Sequence, residues 1–327
     1  MATPDIDSQR PYNNGHRAFL QAFMSRGTMT FAEAKPILAH IFSIQEARRV
    51  LENDITIDDF SNMINTINST IHPFDMEIGF SYPQKAQSRT YNDAVYALVN
   101  LTSDPQTQLA TTHSPDEIAY VRRVLDGMFE TNNTKNREVM AIRGIDAINL
   151  SKPRPGQDLS ASTNGNAESQ NASNKGLTKD QAEKTLASLV EEGWFEKSRS
   201  GFYSLSPRGL IELKGWLVET YNEEDEGEDE EEGPTWQRIK TCYACREIVT
   251  VGERCAEREC LCRFHDFCAR SFFNNQREKR CPTCKTEWTG NHYVGEKAAV
   301  GARPSNSTSR PTTSRQPGPS EQESETE

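Results

Sequence analysis

All eight cysteines of this 327-residue chain lie between Cys242 and Cys284, a window in which even scattering would place about one. They fall into pairs with one histidine: Cys242-x2-Cys245, Cys255-x4-Cys260, His265-x2-Cys268 and Cys281-x2-Cys284. The loops between pairs are too short to hold a hydrophobic core, and thiolates with an imidazole at these spacings are the ligands of tetrahedral Zn2+. Two structural zinc ions are the cofactors this predicts. A segment of roughly 50 residues buries too little apolar surface to fold unaided. Metal binding, at about 10 to 16 kcal/mol apparent for a structural zinc, makes up the difference.

A disulfide framework is the competing reading, and it needs an oxidising compartment. Met1 to Leu20 has no basic region followed by an apolar run and cleavage site, so reduced thiols are expected. Four pairs can fill two sites in succession or as a cross-brace, in which the first and third pairs hold one ion and the second and fourth the other. A single histidine at the fifth ligand position, two residues to the sixth ligand and the ending Cys281-Pro-Thr-Cys284 resemble the RING family, in its variant of four cysteines, one histidine and three cysteines. The PHD finger shares that order but usually carries Trp two residues before the seventh ligand, where this chain has Lys279. Nine candidates compete for eight places. Cys260-x-Cys262-x2-His265-x2-Cys268 also fits RING spacing and would leave Cys255 free. The preferred set is Cys242, Cys245, Cys255, Cys260, His265, Cys268, Cys281 and Cys284, with Cys262 spare.

Length predicts two or three domains. Hydrophobic residues make up only 35% of the chain, so much of it is solvated, and no run approaches the roughly 18 apolar residues of a membrane span. The formal net charge is −11, yet nine of the ten residues from Glu223 to Glu232 are acidic. Without that run the balance is −2, so it reads as a charged, extended hinge between domains. Residues 151–175, rich in Ser, Asn and Gly, and the tail 296–327 are expected to be disordered.

Between these markers the helix signals are strong. Ser114-Pro115-Asp116-Glu117 is a capping box with Pro at the first helical position, followed by Ile118, Val121, Val124, Leu125, Met128 and Phe129 on one face. A short helix is placed at 137–149, and another opens at Thr178 with Gln181 three residues on. Phe195 and the run Phe202 to Leu205 flank Ser198-Arg199-Ser200-Gly201 as a hairpin, after which Ser206-Pro207 starts a last helix. Helices followed by a hairpin describe a winged helix over 114–221. Helices at 16–25, 30–42 and 57–68 with strands at 77–82 and 94–101 describe another over 12–110. The predicted architecture is α+β and multidomain: tandem winged helices, an acidic linker at 222–234, and a cross-braced two-zinc domain at 236–295.

Charge argues against a DNA reader. The candidate recognition helix, Thr178 to Glu192, holds Lys179 and Lys184 against Asp180, Glu183, Glu191 and Glu192, where phosphate binding needs a basic face. From Trp236 to Val300 twelve Lys or Arg face eight Asp or Glu, and seven ligand thiolates with two Zn2+ reduce that excess to about +1. His16, His40, His72, His113 and His292 lack a second ligand at metal spacing and read as surface or capping residues.

His16-Arg-Ala-Phe-Leu-Gln-Ala-Phe-Met-Ser-Arg26, Tyr96-Ala-Leu-Val-Asn100, Tyr203-Ser-Leu-Ser-Pro207 and the zinc pattern ending Cys281-Pro-Thr-Cys-Lys-Thr-Glu-Trp288, in that order, resemble the non-structural maintenance of chromosomes element one family, in a fungal form. The resemblance implies a nuclear, chromosome-associated subunit of the complex built on the fifth and sixth structural maintenance of chromosomes proteins. It implies a MAGE-family partner that is itself a winged-helix protein, a kleisin subunit, DNA contact only through the complex, and a RING-type E3 ubiquitin ligase role in DNA repair. The docking surface for a ubiquitin-charged E2 would include Ala244, Pro282 and Trp288. Ala244 stands where Ile or Leu is usual and offers less apolar area, at about 25 cal/mol per Å2 of burial, so weak, partner-dependent activity is expected. Phe267, Phe272 and Phe273 read as packing residues. The competing reading is a zinc-shaped scaffold without catalysis. Elemental analysis of the purified chain should return two zinc equivalents; a lower value would contradict the cross-brace.

Overall fold

Most helices of the computed structural model, which describes residues 12–86, 88–102, 109, 112–153, 176–222 and 236–299, begin where a side chain can satisfy the first free N–H groups. Thr30 with Glu33, Thr56 with Asp59, Ser114 with Glu117 and Thr178 with Gln181 each close a reciprocal capping box. Asn13 and His16 do the same for the first helix, which makes His16 a capping residue. His113, by contrast, is buried, with Nε2 3.0 Å from Glu192. The surface reading of that histidine is therefore corrected.

The first lobe runs α1 (Asn14–Arg26), β1 (Thr28–Thr30), α2 (Phe31–Gln45), α3 (Ile57–Ile71), β2 (Met76–Ser81) and β3 (Val95–Asn100), with antiparallel sheet order β1-β3-β2. Phe19, Phe23, Leu38, Phe60 and Ile67 fill its core. Phe60 stands edge-on to Tyr96 at 4.7 Å and to Phe19 at 6.1 Å, the favoured geometry of aromatic pairs. The second lobe repeats this order with α4 (Pro115–Asp126), β4 (Ile142–Arg143), α5 (Gly144–Asn149), α6 (Lys179–Glu191), β5 (Phe195–Lys197) and β6 (Phe202–Leu205), its sheet running β4-β6-β5. Two further helices, α7 (Pro207–Glu212) and α8 (Lys214–Asn222), follow. Helix α7 lies across β2 and β3 of the first lobe. A Cβ on Gly79 would come within 2.9 Å of the Ile211 side chain, so the missing side chain is what lets the lobes close.

Two edge strands escape the sequence reading because β1 and β4 are too short to show alternation. The expected helix at 137–149 is also corrected, since only Gly144–Asn149 is helical. Residues 132–141 instead form a loop in which Met140 takes a left-handed φ of 46°, and this loop carries Glu138 out of the second lobe into the third.

The third lobe holds β7 (Gly252–Arg254), β8 (Arg263–Phe264), α9 (Asp266–Phe273), β9 (Tyr293–Val294) and α10 (Glu296–Ala299), with sheet order β8-β7-β9. It is not a separate body on a hinge. One hydrophobic core runs from Val124, Leu186 and Leu217 through Ile239 to Phe264 and Trp288. The acidic run lies outside the described residues, but its flanks are tied. Asn222 accepts from the Ile239 N–H at 2.8 Å and donates to the Ile239 carbonyl at 2.9 Å. No helix among the described residues is long and apolar enough to cross a membrane. Of the segments expected to be disordered, 151–175 and 296–327, residues 154–175 and 300–327 fall outside the described residues, and the reading of the tail is corrected at its start, where Glu296–Ala299 form α10.

Glu138 is fully buried. Arg263 grips it with two bonds, Nε to Oε2 at 2.7 Å and Nη2 to Oε1 at 2.6 Å, and Lys240 and Arg254 approach at 3.2 and 3.4 Å. The Glu138 carbonyl also accepts from Gly295 N–H at 2.7 Å. Burial would push the carboxyl up, but the Arg263 hydrogen bonds and the three cations outweigh it and hold it below its ordinary value. Burial also lowers Lys240 to about 8 despite the attraction of Glu138. A depressed carboxyl contributes stability that is present above its unfolded value of 4.5 and fades as pH falls through the folded one. Glu138→Gln keeps the volume but strands three buried cations. It should cost about 3 to 5 kcal/mol in denaturant unfolding and should flatten the loss of stability below pH 4.5 expected of the parent.

Candidate metal centre

Two short turns of the same build present half of the ligands. Cys242-x2-Cys245 is followed by Arg246 and Cys281-x2-Cys284 by Lys285, both at φ 64°. In each, the N–H of that left-handed residue donates to the carbonyl of the first cysteine, at 2.9 and 3.0 Å, and the first cysteine's N–H reaches the carbonyl five residues on, at 2.8 Å. Such a turn points both thiols to one side. Neither left-handed position is Gly or Asn, so nothing in the local sequence marks it.

The other pairs arrive from β7, β8 and the start of α9. Cys242, Cys245, His265 and Cys268 form one group and Cys255, Cys260, Cys281 and Cys284 another, the ligand atoms of each group lying within 4.8 Å of one another. Within them Cys245 Sγ stands 3.4 Å from His265 Nδ1, Cys255 Sγ 3.4 Å from Cys284 Sγ, and Cys260 Sγ 3.6 Å from Cys281 Sγ. A tetrahedron with Zn–S of about 2.3 Å has an edge of about 3.8 Å, so both groups match a four-ligand zinc shell. First and third pairs converge, as do second and fourth: the interleaving is that of a cross-brace.

The surroundings fit a divalent ion as well. His265 Nε2 sits 3.1 Å from the Ile248 carbonyl. Donation there leaves the Nδ1 lone pair facing the thiols, the tautomer a metal requires. Around the first group, hydrogen bonds from Cys245 and Cys268 drive Cys242 down to about 2, and Cys268 is pushed up in return by its bonds to Cys242 and Cys245. Thiols crowded this closely compete for charge, and a divalent ion, whose ligands are deprotonated, would relieve that competition. The second group would carry two negative charges as four thiolates and Zn2+. Beside it Arg263 donates to the carbonyls of Cys260 at 2.6 Å and Cys262 at 2.7 Å. Arg254, Arg263 and Lys240, less Glu138, leave two positive charges to offset it.

Cys262 is buried but stands outside both groups. Its carbonyl accepts from Cys255 N–H at 3.3 Å, closing the turn that delivers Cys255. Burial pushes its own thiol well above the ordinary range.

The three residues placed on an E2 surface separate. Ala244 is exposed and Pro282 half-buried. Trp288 is 5% exposed, edge-on to Phe264 at 5.3 Å and against Phe273 at 5.2 Å, with its indole N–H donating to Glu253 at 2.7 Å. As a direct docking residue it is corrected, because the aromatic core absorbs it. Phe273 is buried and Phe267 and Phe272 pack against the same core, in line with the packing reading. Unforeseen members of the site are Arg263, Arg254 and Glu138. Only Arg263 stands between apolar neighbours, Cys262 and Phe264, whereas Glu138 and Arg254 sit among other charged residues, a setting typical of surfaces that singles none of them out.

A family profile described as Nse1 non-SMC component of SMC5-6 complex matches residues 16–213, and a second, described as RING-like domain, matches residues 242–284. Among curated proteins the chain is similar to a non-structural maintenance of chromosomes element 1 homolog of Bos taurus, at 24% identity over 281 residues, covering 86% of this chain and 85% of the relative. The Homo sapiens homolog is 23% identical, covering 84% and 83%. The Schizosaccharomyces pombe protein is 22% identical, covering 73% and 80%. A chain from a solved structure, described as Nse1-Nse3-Nse4 complex, shares the fold with a TM-score of 0.60 at 22% identity, covering 85% of this chain and 97% of that one. If Cys262 is the spare thiol, Cys262→Ser should retain two zinc equivalents by elemental analysis and Cys255→Ser should fall to one.

Proposed function

This chain belongs to the Nse1 family of non-SMC components of the SMC5-6 complex, and on that premise we propose that it is a RING-type E3 ubiquitin ligase subunit of that complex, acting on nuclear chromosomes in DNA repair. The observation that carries the reading is the interleaving of two four-ligand groups within the stretch that matches a RING-like domain. Cys242, Cys245, His265 and Cys268 would hold one Zn2+ and Cys255, Cys260, Cys281 and Cys284 the other. When bound, these ions cross-link loops that have no core of their own.

The repeated order of helix, strand, two helices and two strands, with matching sheet orders, supports reading both N-terminal lobes as winged helices. Their partners would be a MAGE-family subunit and a kleisin subunit. The likeness to a chain described as Nse1-Nse3-Nse4 complex favours assembly of that kind. Trp194 and Phe195 inside the second lobe's core and the acidic α6 leave DNA contact to the assembled complex.

A ligase of this type has no nucleophile or general base. It holds an E2 so that the thioester and the acceptor amine meet, and orientation supplies the rate gain. Ala244 and Pro282 remain accessible for that docking, whereas Trp288 supports their loops from beneath. With a methyl in place of a larger aliphatic side chain, the E2 surface is small. That same economy favours the second reading, a scaffold in which the zinc-bound loops only shape an interface.

Ubiquitination with and without the MAGE-family partner separates the two readings. Transfer should be weak for the chain alone and rise at least about tenfold with the partner. Ala244→Asp or Pro282→Ala should abolish transfer while the complex still assembles. Loss of assembly without measurable transfer in the parent would favour the scaffold, and strong activity from the chain alone would contradict partner dependence.

A further inference from the structure

The described residues between β2 and β3, 82–86 and 88–94, reach beyond their own lobe. Gln84 is buried against the segment that follows the first cysteine pair. Its amide donates to the Ile248 carbonyl at 3.2 Å and accepts from the N–H groups of Thr250 at 3.0 Å and Val251 at 3.4 Å. The far end is held by Asp93, which accepts from the hydroxyls of Ser88 and Thr90, each at 2.6 Å. Between these anchors lies Arg89. Its guanidinium rests over the Tyr82 ring at 5.1 Å, and Nη1 donates to Cys245 Sγ at 2.8 Å.

Three thiolates and a neutral imidazole around Zn2+ leave one uncompensated negative charge. The second group would meet its two excess charges with Arg254, Arg263 and Lys240, less Glu138; a single guanidinium suffices for the first. We propose that Arg89 is a positioning residue of the first zinc site, a cationic donor to a ligand thiolate supplied by the N-terminal lobe. The inference rests on the zinc assignment made above. A charge-assisted hydrogen bond fixes the sulfur where the metal needs it and offsets the excess charge of the shell, and outer-shell partners of this kind strengthen metal retention. Arg89 therefore protects the Cys245–metal bond from across the fold, 156 positions away in sequence. Retention of one ion, and not the other, depends on how the first lobe is seated.

The test is zinc release from the full chain to an excess of a chromogenic chelator, for the parent, Arg89→Met and Arg89→Lys. Loss of an outer-shell partner typically costs roughly 10- to 100-fold in metal affinity. Arg89→Met should release one equivalent at least about tenfold faster and leave the other unchanged. Arg89→Lys, which keeps the charge without the planar fork, should fall between. With Co2+ in place of zinc, Arg89→Met should shift the thiolate charge-transfer bands of one site only, a change that mere loosening of the lobes would not produce. Equal acceleration of both ions, or unchanged release in Arg89→Met, would overturn the proposal while the zinc assignment stands. A parent chain carrying no zinc would sink the assignment itself.

Discussion

A carboxylate that water does not reach holds this molecule together. Glu138 belongs by sequence to the second lobe and by contact to the third, where Arg263, Arg254 and Lys240 converge on it. Burying one carboxylate among three cations is costly unless the arrangement is closed by further hydrogen bonds. Here the carbonyls of Cys260, Cys262 and Lys135 take up spare guanidinium donors. Four thiolates around a divalent ion in the second ligand group would take up the excess charge. Metal binding there would then be coupled to lobe packing through shared electrostatics.

That coupling changes how the zinc-binding lobe is to be regarded. Its ligand loops contribute few apolar side chains of their own, and its one aromatic cluster, Phe264, Phe273 and Trp288, continues into the hydrophobic core of the preceding lobe. Gln84 and Arg89 approach from the first lobe on another side. A molecule seated on either N-terminal lobe would therefore press on a surface that is packed against the ligand loops.

Local chemistry was legible in the sequence and long-range chemistry was not. Thr30, Thr56, Ser114 and Thr178 cap helices within three residues of their partners, so the pattern can be read without the fold. The ligand pairs are equally local. Two spacings competed at the second pair, and the geometry gathers Cys255 with Cys260 and leaves Cys262 outside. Glu138 and Arg263 are 125 positions apart, and no periodicity links them. The same holds for Trp288. Its position after the last ligand pair suggests a surface, but the aromatic residues that enclose it come from α9 and β8. The mistaken helix at 137–149 arose because the apolar run from Val139 to Ile142 suits a helix or a strand equally. Val139 to Ala141 take neither form; they belong to the loop that carries Glu138 to its three cations.

The reciprocal bonds between Asn222 and Ile239 have an architectural consequence. They pin the two described flanks of the acidic stretch to each other, so its length does not set the distance between them. Inserting or deleting residues there changes the closure entropy only as the logarithm of loop size, by roughly 0.6 kcal/mol per doubling. Changes of length or charge in that stretch of this chain would therefore leave the tie between Asn222 and Ile239 in place.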